Sequence, residues 1–202
     1  MLKRTLLVAI IALALALVAG TAARQWLNNN QSPLASPLAE IKDILSADFQ
    51  KEILAPPPLR LPFSENAGQL TSAGILRATN LHRGENNVAA LTANTVLDKA
   101  AQAKLADMFA KQYFEHVSPD GAGPGDVVEN AGYQFIRVGE NLALGNFADD
   151  TELVQAWMDS PGHRANILYS GFSQIGIATT RGTYEGQQVW IAVQEFGLPL
   201  SA

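Results

Sequence analysis

Hydrophobic positions pass through three regimes along the 202 residues. The first is an unbroken apolar run from Thr5 to Ala23, preceded by Lys3 and Arg4 and followed by Arg24. Such a run reads as an export signal or an amino-terminal membrane anchor over residues 1–23, since a helix of that length nearly spans the ~30 Å hydrocarbon core. Gly20, Ala22 and Ala23 suit cleavage by a signal peptidase, whereas the length of the run suits retention, and both outcomes stay open. In either case the basic residues stay inside and the remainder faces outward.

The second regime, residues 24–71, is a spacer rich in Asn, Gln, Ser and Pro, stiffened by Pro33, Pro37 and Pro56-Pro57-Pro58. Within it Leu38, Ile41, Leu45, Phe49 and Ile53 recur at helical spacing, which predicts an amphipathic helix over 37–54. Its acidic residues, Glu40, Asp43, Asp48 and Glu52, argue against an anionic lipid surface as its partner.

The third regime, residues 72–199, alternates helical and strand periods. A helix is expected over 72–82, then a longer one capped by Asn94 with Leu97, Ala101, Leu105 and Met108 on one face, ending near Phe114. Residues 118–132 are turn-rich, and Gly123, Pro124 and Gly125 predict no regular element there. A helix over 150–158 turns Leu153, Val154 and Trp157 inward, and Ser160 caps a short helix opened by Pro161. Strands are expected over 174–180 and 188–196, joined by a turn at 181–187. In the second strand Val189, Ile191 and Val193 share one face and Trp190 and Ala192 the other, so it should be central and covered on both sides. The order predicts an α+β fold, a three-layer α–β–α sandwich around a central antiparallel sheet.

Composition narrows the chemistry. A chain 48% hydrophobic and 16% charged supports one folded domain. The net charge of -5, which becomes -7 if Lys3 and Arg4 are removed, leaves no basic surface for nucleic acid. The absence of cysteine excludes disulfides, a thiol nucleophile and thiolate metal sites, so any metal must bind through His and carboxylate.

Several motifs stand in a fixed order: Asn80-Leu81-His82-Arg83, Tyr113-Phe114-Glu115-His116, Gly139-Glu140-Asn141-Leu142-Ala143, Trp157 leading into Ser160-Pro161-Gly162-His163-Arg164-Ala165-Asn166-Ile167-Leu168, Ile175-Gly176-Ile177-Ala178, and Val193-Gln194-Glu195-Phe196. Together they resemble the CAP superfamily, or SCP-like domains (cysteine-rich secretory proteins, antigen 5 and plant pathogenesis-related proteins), and within it the cysteine-free bacterial branch. The resemblance covers about residues 73–199. It implies a central cavity where two His and two acidic residues can hold a divalent metal, and it places His116, Glu140 and His163 at three of those positions. At the fourth, counting from Trp157 reaches Ser160, which leaves Asp159 as a shifted substitute.

Two imidazoles and a carboxylate are a ligand set for Zn2+ or another divalent metal, with a fourth position for water. They can equally do acid–base work, since imidazole titrates near neutral pH. No His-Glu-x-x-His helix and no Gly-x-Ser-x-Gly elbow is present. Structural roles compete: His116 at a helix end, His163 bonded to nearby backbone, Glu140 satisfying loop amides. His82 is expected to be solvated, Asn80 and Arg83 to tie the first helix to loops, and Trp157 to lie in the core. The leading expectation is an extracytoplasmic binding module for an envelope lipid, glycan or peptide, touching membrane only through its amino terminus. A metal-dependent hydrolase of peptide or wall material and a structural envelope protein with a vestigial cavity are the alternatives.

Overall fold

The computed structural model describes residues 51–61 and 67–200. In chain order the elements are strands β1 (Glu52–Leu54) and β2 (Leu59–Arg60), helix α1 (Ser72–Glu85), strand β3 (Thr92–Ala93), helices α2 (Thr95–Lys111) and α3 (Pro124–Asn130), strand β4 (Phe135–Gly145), helices α4 (Asp150–Asp159) and α5 (Pro161–Leu168), and strands β5 (Gln174–Tyr184) and β6 (Gln187–Pro199). They form one six-stranded sheet in the order β1-β4-β6-β5-β3, with β2 also on β4.

The three long strands are antiparallel, and β6 is central between β4 and β5. Its expected alternation holds: Val189, Ile191 and Val193 pack with Ala101, Leu105 and Met108 of α2, while Ala192 and Phe196 pack with Ile75, Trp157 and Ile167. A third cluster joins Leu97 and Val128 to Phe135 and Val138. Helices α2 and α3 therefore cover one face, and α1, α4 and α5 the other, which is the three-layer sandwich. Trp157 is fully buried, its indole N–H donating to the Leu142 carbonyl.

Local chemistry explains the element ends. The Asn94 side chain accepts from the amides of Val96 and Leu97, as its position before α2 predicts. The expected loop at 181–187 tightens to two residues, Glu185 and Gly186, both at positive φ (49° and 78°). A two-residue loop with both residues at positive φ matches the strand twist, so β5 and β6 pair down to Tyr184 and Gln187. Asn80 and Arg83 tie α1 to loops as expected: Asn80 pairs with both backbone groups of Leu91, and the buried Arg83 donates to the carbonyls of Ala89, Ile167, Tyr169 and Phe172.

Two expectations are corrected and one unmarked stretch proves to be an element. The predicted helix over 37–54 does not hold at its end, because Glu52–Leu54 is a strand paired in parallel with Arg137–Gly139; residues 37–50, like the apolar run 5–23, lie outside the described residues. The reason is the proline run, which bars helical conformation in the residue preceding it and keeps the chain extended. The sheet thus recruits residues upstream of 72, and the described residues from Lys51 onward belong to one compact unit. Residues 124–130, expected to be irregular, form α3: Pro124 sits at its start, where no amide donor is needed, and the Asp126 carboxylate accepts from the Gly123 amide. The stretch Phe135–Gly145, which the hydrophobic pattern does not mark as an element, is a full strand.

Candidate functional site

Glu140 lies in the middle of β4 and Glu195 directly opposite it on β6. Side chains alternate across a sheet, so both carboxyls point to the α2 face with Leu142 and Val193. Neither is exposed at all. Burial, followed by the charge of Glu140, holds the Glu195 carboxyl well above the ordinary carboxylate range, and Glu195 hydrogen-bonds to Glu140 as the protonated partner. This gives a use to Glu140 Oε2 and the Glu195 oxygens, which no ordinary N–H or O–H donor reaches.

His116 follows α2 on the loop after Lys111. Its Nδ1 stands 2.6 Å from Glu140 Oε1, and its Nε2 donates to the main-chain carbonyl of Pro56. A carbonyl only accepts, so Nε2 carries a proton, and a second proton lies between Nδ1 and Glu140. Lys104 fixes this loop from behind. Its buried ammonium donates to the carbonyls of Glu115 and His116, each at 2.7 Å, and to Tyr113 Oη at 3.2 Å. Desolvation lowers the Lys104 pKa, opposed first by the charge of Glu140.

His163 reaches the same region from the opposite layer. It is 1% exposed, with Nδ1 2.8 Å from Ser160 Oγ and no hydrogen bond to Nε2. Burial first, then the charge of His116, depresses its pKa to about 4, with the Leu142 carbonyl pulling weakly the other way. Its backbone carbonyl accepts from Asn141 Nδ2 at 3.3 Å, while Asn166 Nδ2 donates to Asn141 Oδ1 at 2.9 Å and, at 3.4 Å, to the Glu140 carbonyl. The two layers meet at the edge of β4, in the interval between β1 and β2.

The structure thus joins His116 to Glu140, while His163 approaches from the other layer, within reach of the charge of His116 and hydrogen-bonded to Ser160. Asp159 is not joined to them: it is exposed at the end of α4 and accepts from Gln155 at 2.8 Å. Sequence reasoning missed Glu195, although its position two residues beyond Val193 marks the same buried face, and it missed Pro56 and Ser160 as contacts. A cavity of about 470 Å3 between α2, the loop after it and α3 is lined by Lys104, Tyr113, Ser118 and Asp120, but not by His116, Glu140 or His163. Among the described residues no group of three or more His, Asp or Glu is arranged to hold a metal ion. With both nitrogens of His116 engaged, the donors as they stand do not fit a divalent metal.

Comparison with known proteins agrees with this architecture. Residues 76–196 match the family model described as CAP, cysteine-rich secretory protein family. The protein YkwD of Bacillus subtilis (strain 168) is 37% identical over 116 residues, which are 57% of this chain and 43% of that protein. The membrane protein YlbC of the same organism is 32% identical over 110 residues, 54% of this chain and 32% of that protein. The chain therefore spans less than half the length of each. Among solved structures, an extracellular protein containing an SCP domain from Bacillus anthracis str. Ames superimposes with a TM-score of 0.53 at 28% identity, covering 62% of this chain and 39% of that one. An outer surface protein of Borrelia burgdorferi shares the fold, with a TM-score of 0.52 at 19% identity over 62% of this chain and 90% of that one.

Proposed function

Because the chain belongs to the CAP, or cysteine-rich secretory protein, family, we propose that it is an extracytoplasmic binding module that holds a carbonyl- or amide-bearing ligand of the cell envelope on His116. The observation that carries this reading is the pair of contacts made by one imidazole. Glu140 anchors Nδ1, which orients the ring, and the Nε2–H is spent on a main-chain carbonyl, that of Pro56. A ring held in this way is a fixed donor for an acceptor group. The extracytoplasmic placement is supported by the basic residues and apolar run of the amino terminus and by likeness to an extracellular SCP-domain protein and an outer surface protein. Among the described residues no helix is long and apolar enough to cross a membrane.

A second reading, hydrolysis of peptide or wall material, is favoured by the 2.8 Å contact of Ser160 Oγ with His163 Nδ1, a nucleophile and base within reach. It is disfavoured by the burial of His163 and by its depressed pKa, which makes it a weak base.

The test is co-sedimentation of the purified chain with isolated bacterial wall polymer and, separately, with phospholipid vesicles. The wild type should be retained on envelope material and His116→Gln released, with folding of both confirmed by near-ultraviolet circular dichroism. No retention on either, or retention that His116→Gln leaves unchanged, overturns the reading. Release of soluble wall fragments by the wild type that is lost in Ser160→Ala would establish the hydrolase instead.

A further inference from the structure

Pro56 belongs to a short strap that runs along the open edge of β4. Glu52–Leu54 pair with Arg137–Gly139 and Leu59–Arg60 with Ala143–Leu144, both in parallel. Between the two pairings the strap uses one more residue than β4 does, so it lifts off the edge opposite Glu140, Asn141 and Leu142. Ala55, Pro56, Pro57 and Pro58 fill that interval. Proline has no amide proton, so three of the four residues leave the ladder without stranding a donor. At the lift-off point the Pro56 carbonyl turns inward to His116 Nε2, and the position of a Cβ at Gly162 lies only 2.6 Å from Pro56 Cβ. The strap is what seals the site.

Its attachment lies at the sheet's edge. The hydrogen bonds at its ends are Asn166 Nδ2 to the Leu54 carbonyl at 3.2 Å and the Leu61 amide to the Leu144 carbonyl at 2.9 Å. Its side-chain pins include the exposed pair Lys51–Glu129, the partly exposed pair Glu52–Arg137, and Arg60, which donates to the Phe114 carbonyl at 3.1 Å and lies 3.8 Å from Glu115. Ile53 is 46% exposed. The ladders to β4, the half-buried Leu54, Leu59 and Leu61 packed on the core, and Lys51 and Arg60 over the rings of Phe135 and Phe114 hold it in place; no residue of the strap is fully buried, which makes it less protected than the central strands. Addition of an extended chain to a sheet edge, with backbone pairing for affinity and one special contact for selection, is a recurring mode of peptide recognition.

We propose that the β4 edge from Arg137 to Leu144, with His116 Nε2 as its selective donor, is a receptor site for an extended proline-containing peptide, and that residues 52–60 occupy it as a tethered competitor. This rests on the reading of His116 as a ligand-holding donor and names the class of ligand. The prolines let the bound chain step over Glu140–Leu142 while presenting a carbonyl to His116. The tether keeps the chain's own segment at an effective concentration of about millimolar, so a free peptide gains access only as the strap lifts.

The experiment titrates a fluorescent synthetic peptide of residues 51–61 against the full chain by anisotropy. Lys51→Ser combined with Arg60→Ser in the full chain, which removes pins at both ends of the strap while the probe peptide keeps its own, should bind it about tenfold or more tighter than the wild type, because apparent affinity scales with the open fraction. Lys51→Ser alone, which removes one pin, should tighten binding to a smaller extent and is read in place of the double variant if that does not fold. Ile53→Cys with Val138→Cys, partners in the parallel register of a cysteine-free chain, should lose binding when oxidised and regain it on reduction. Equal binding by wild type, released and locked forms overturns the proposal, as does no binding by released variants that fold. If released variants ignore the peptide while envelope retention still depends on His116, only this inference falls. If the peptide binds and envelope retention fails, the envelope ligand falls and the receptor edge stands.

Discussion

At the scale of single residues the site is a set of buried charges kept neutral or paired, and two of them bend stability in opposite directions with pH. His163 has a folded pKa of about 4 against an ordinary 6.5. The unfolded chain therefore takes up this proton first as pH falls, so the stability tied to a neutral His163 is whole above pH ~6.5 and drains away toward pH ~4, about 3 kcal/mol in all. Urea midpoints of the wild type should fall across this window, and those of His163→Gln should fall less; parallel curves would refute the assignment. Glu195 has the reverse sign. Its carboxyl is raised, so the folded chain holds the proton longer, and stability is whole below the ordinary carboxylate value and declines as pH rises. Glu195→Gln, which keeps the shape and a donor toward Glu140, should flatten that decline and raise the midpoint at pH 8. A lowered midpoint there would show Glu195 to be ionised. Glu195 was hidden in the sequence for a physical reason: a carboxyl in a central strand is costly, and only the facing Glu140, distant in the chain, makes a protonated one useful.

At the scale of elements, periodicity told most where one face is apolar and caps are strong. The alternation through Val189, Ile191 and Val193 and the Asn94 cap before α2 were both legible, because each depends on neighbours in the chain. The strand β4 was not, since Gly139-Glu140-Asn141 has poor strand propensity and is kept in the sheet by tertiary partners: Asn141 by Gln194 and Asn166, Glu140 by His116. The strand β1 reads in sequence as the end of a helix because Ile53 continues a helical spacing. What decides its conformation is the proline run and the vacant edge of β4. Arg83 shows the opposite case, a residue whose charge suggests a surface but whose four carbonyl partners join α1 to the loops around α5. Arg83→Leu strands several buried carbonyls, and at roughly 1–3 kcal/mol for each group left bare it should cost about 3 kcal/mol or more in chemical denaturation. A loss under about 1 kcal/mol would show that water replaces the guanidinium.

At the scale of the whole molecule, the family fold carries its motifs to one edge of the sheet, and the chain's own upstream segment lies across them. Helix α2 supplies Lys104 and the His116 loop, α5 supplies His163 from the other layer, and β4 with β6 supplies the paired carboxyls. The convergence of His116 and Glu140 was legible from motif order. The closure was not, because it depends on a register between residues 52–60 and 137–144 that no local pattern encodes. The closed site turns on the clamped imidazole, and proton NMR of the His116 ring N–H tests that clamp most directly. With Nε2–H buried on the Pro56 carbonyl and Nδ1 on Glu140, the wild type should show a slowly exchanging ring N–H signal near neutral pH that Gly162→Ala loses. A His116 ring proton that exchanges freely with water in the wild type, or one indifferent to Gly162→Ala, would contradict it.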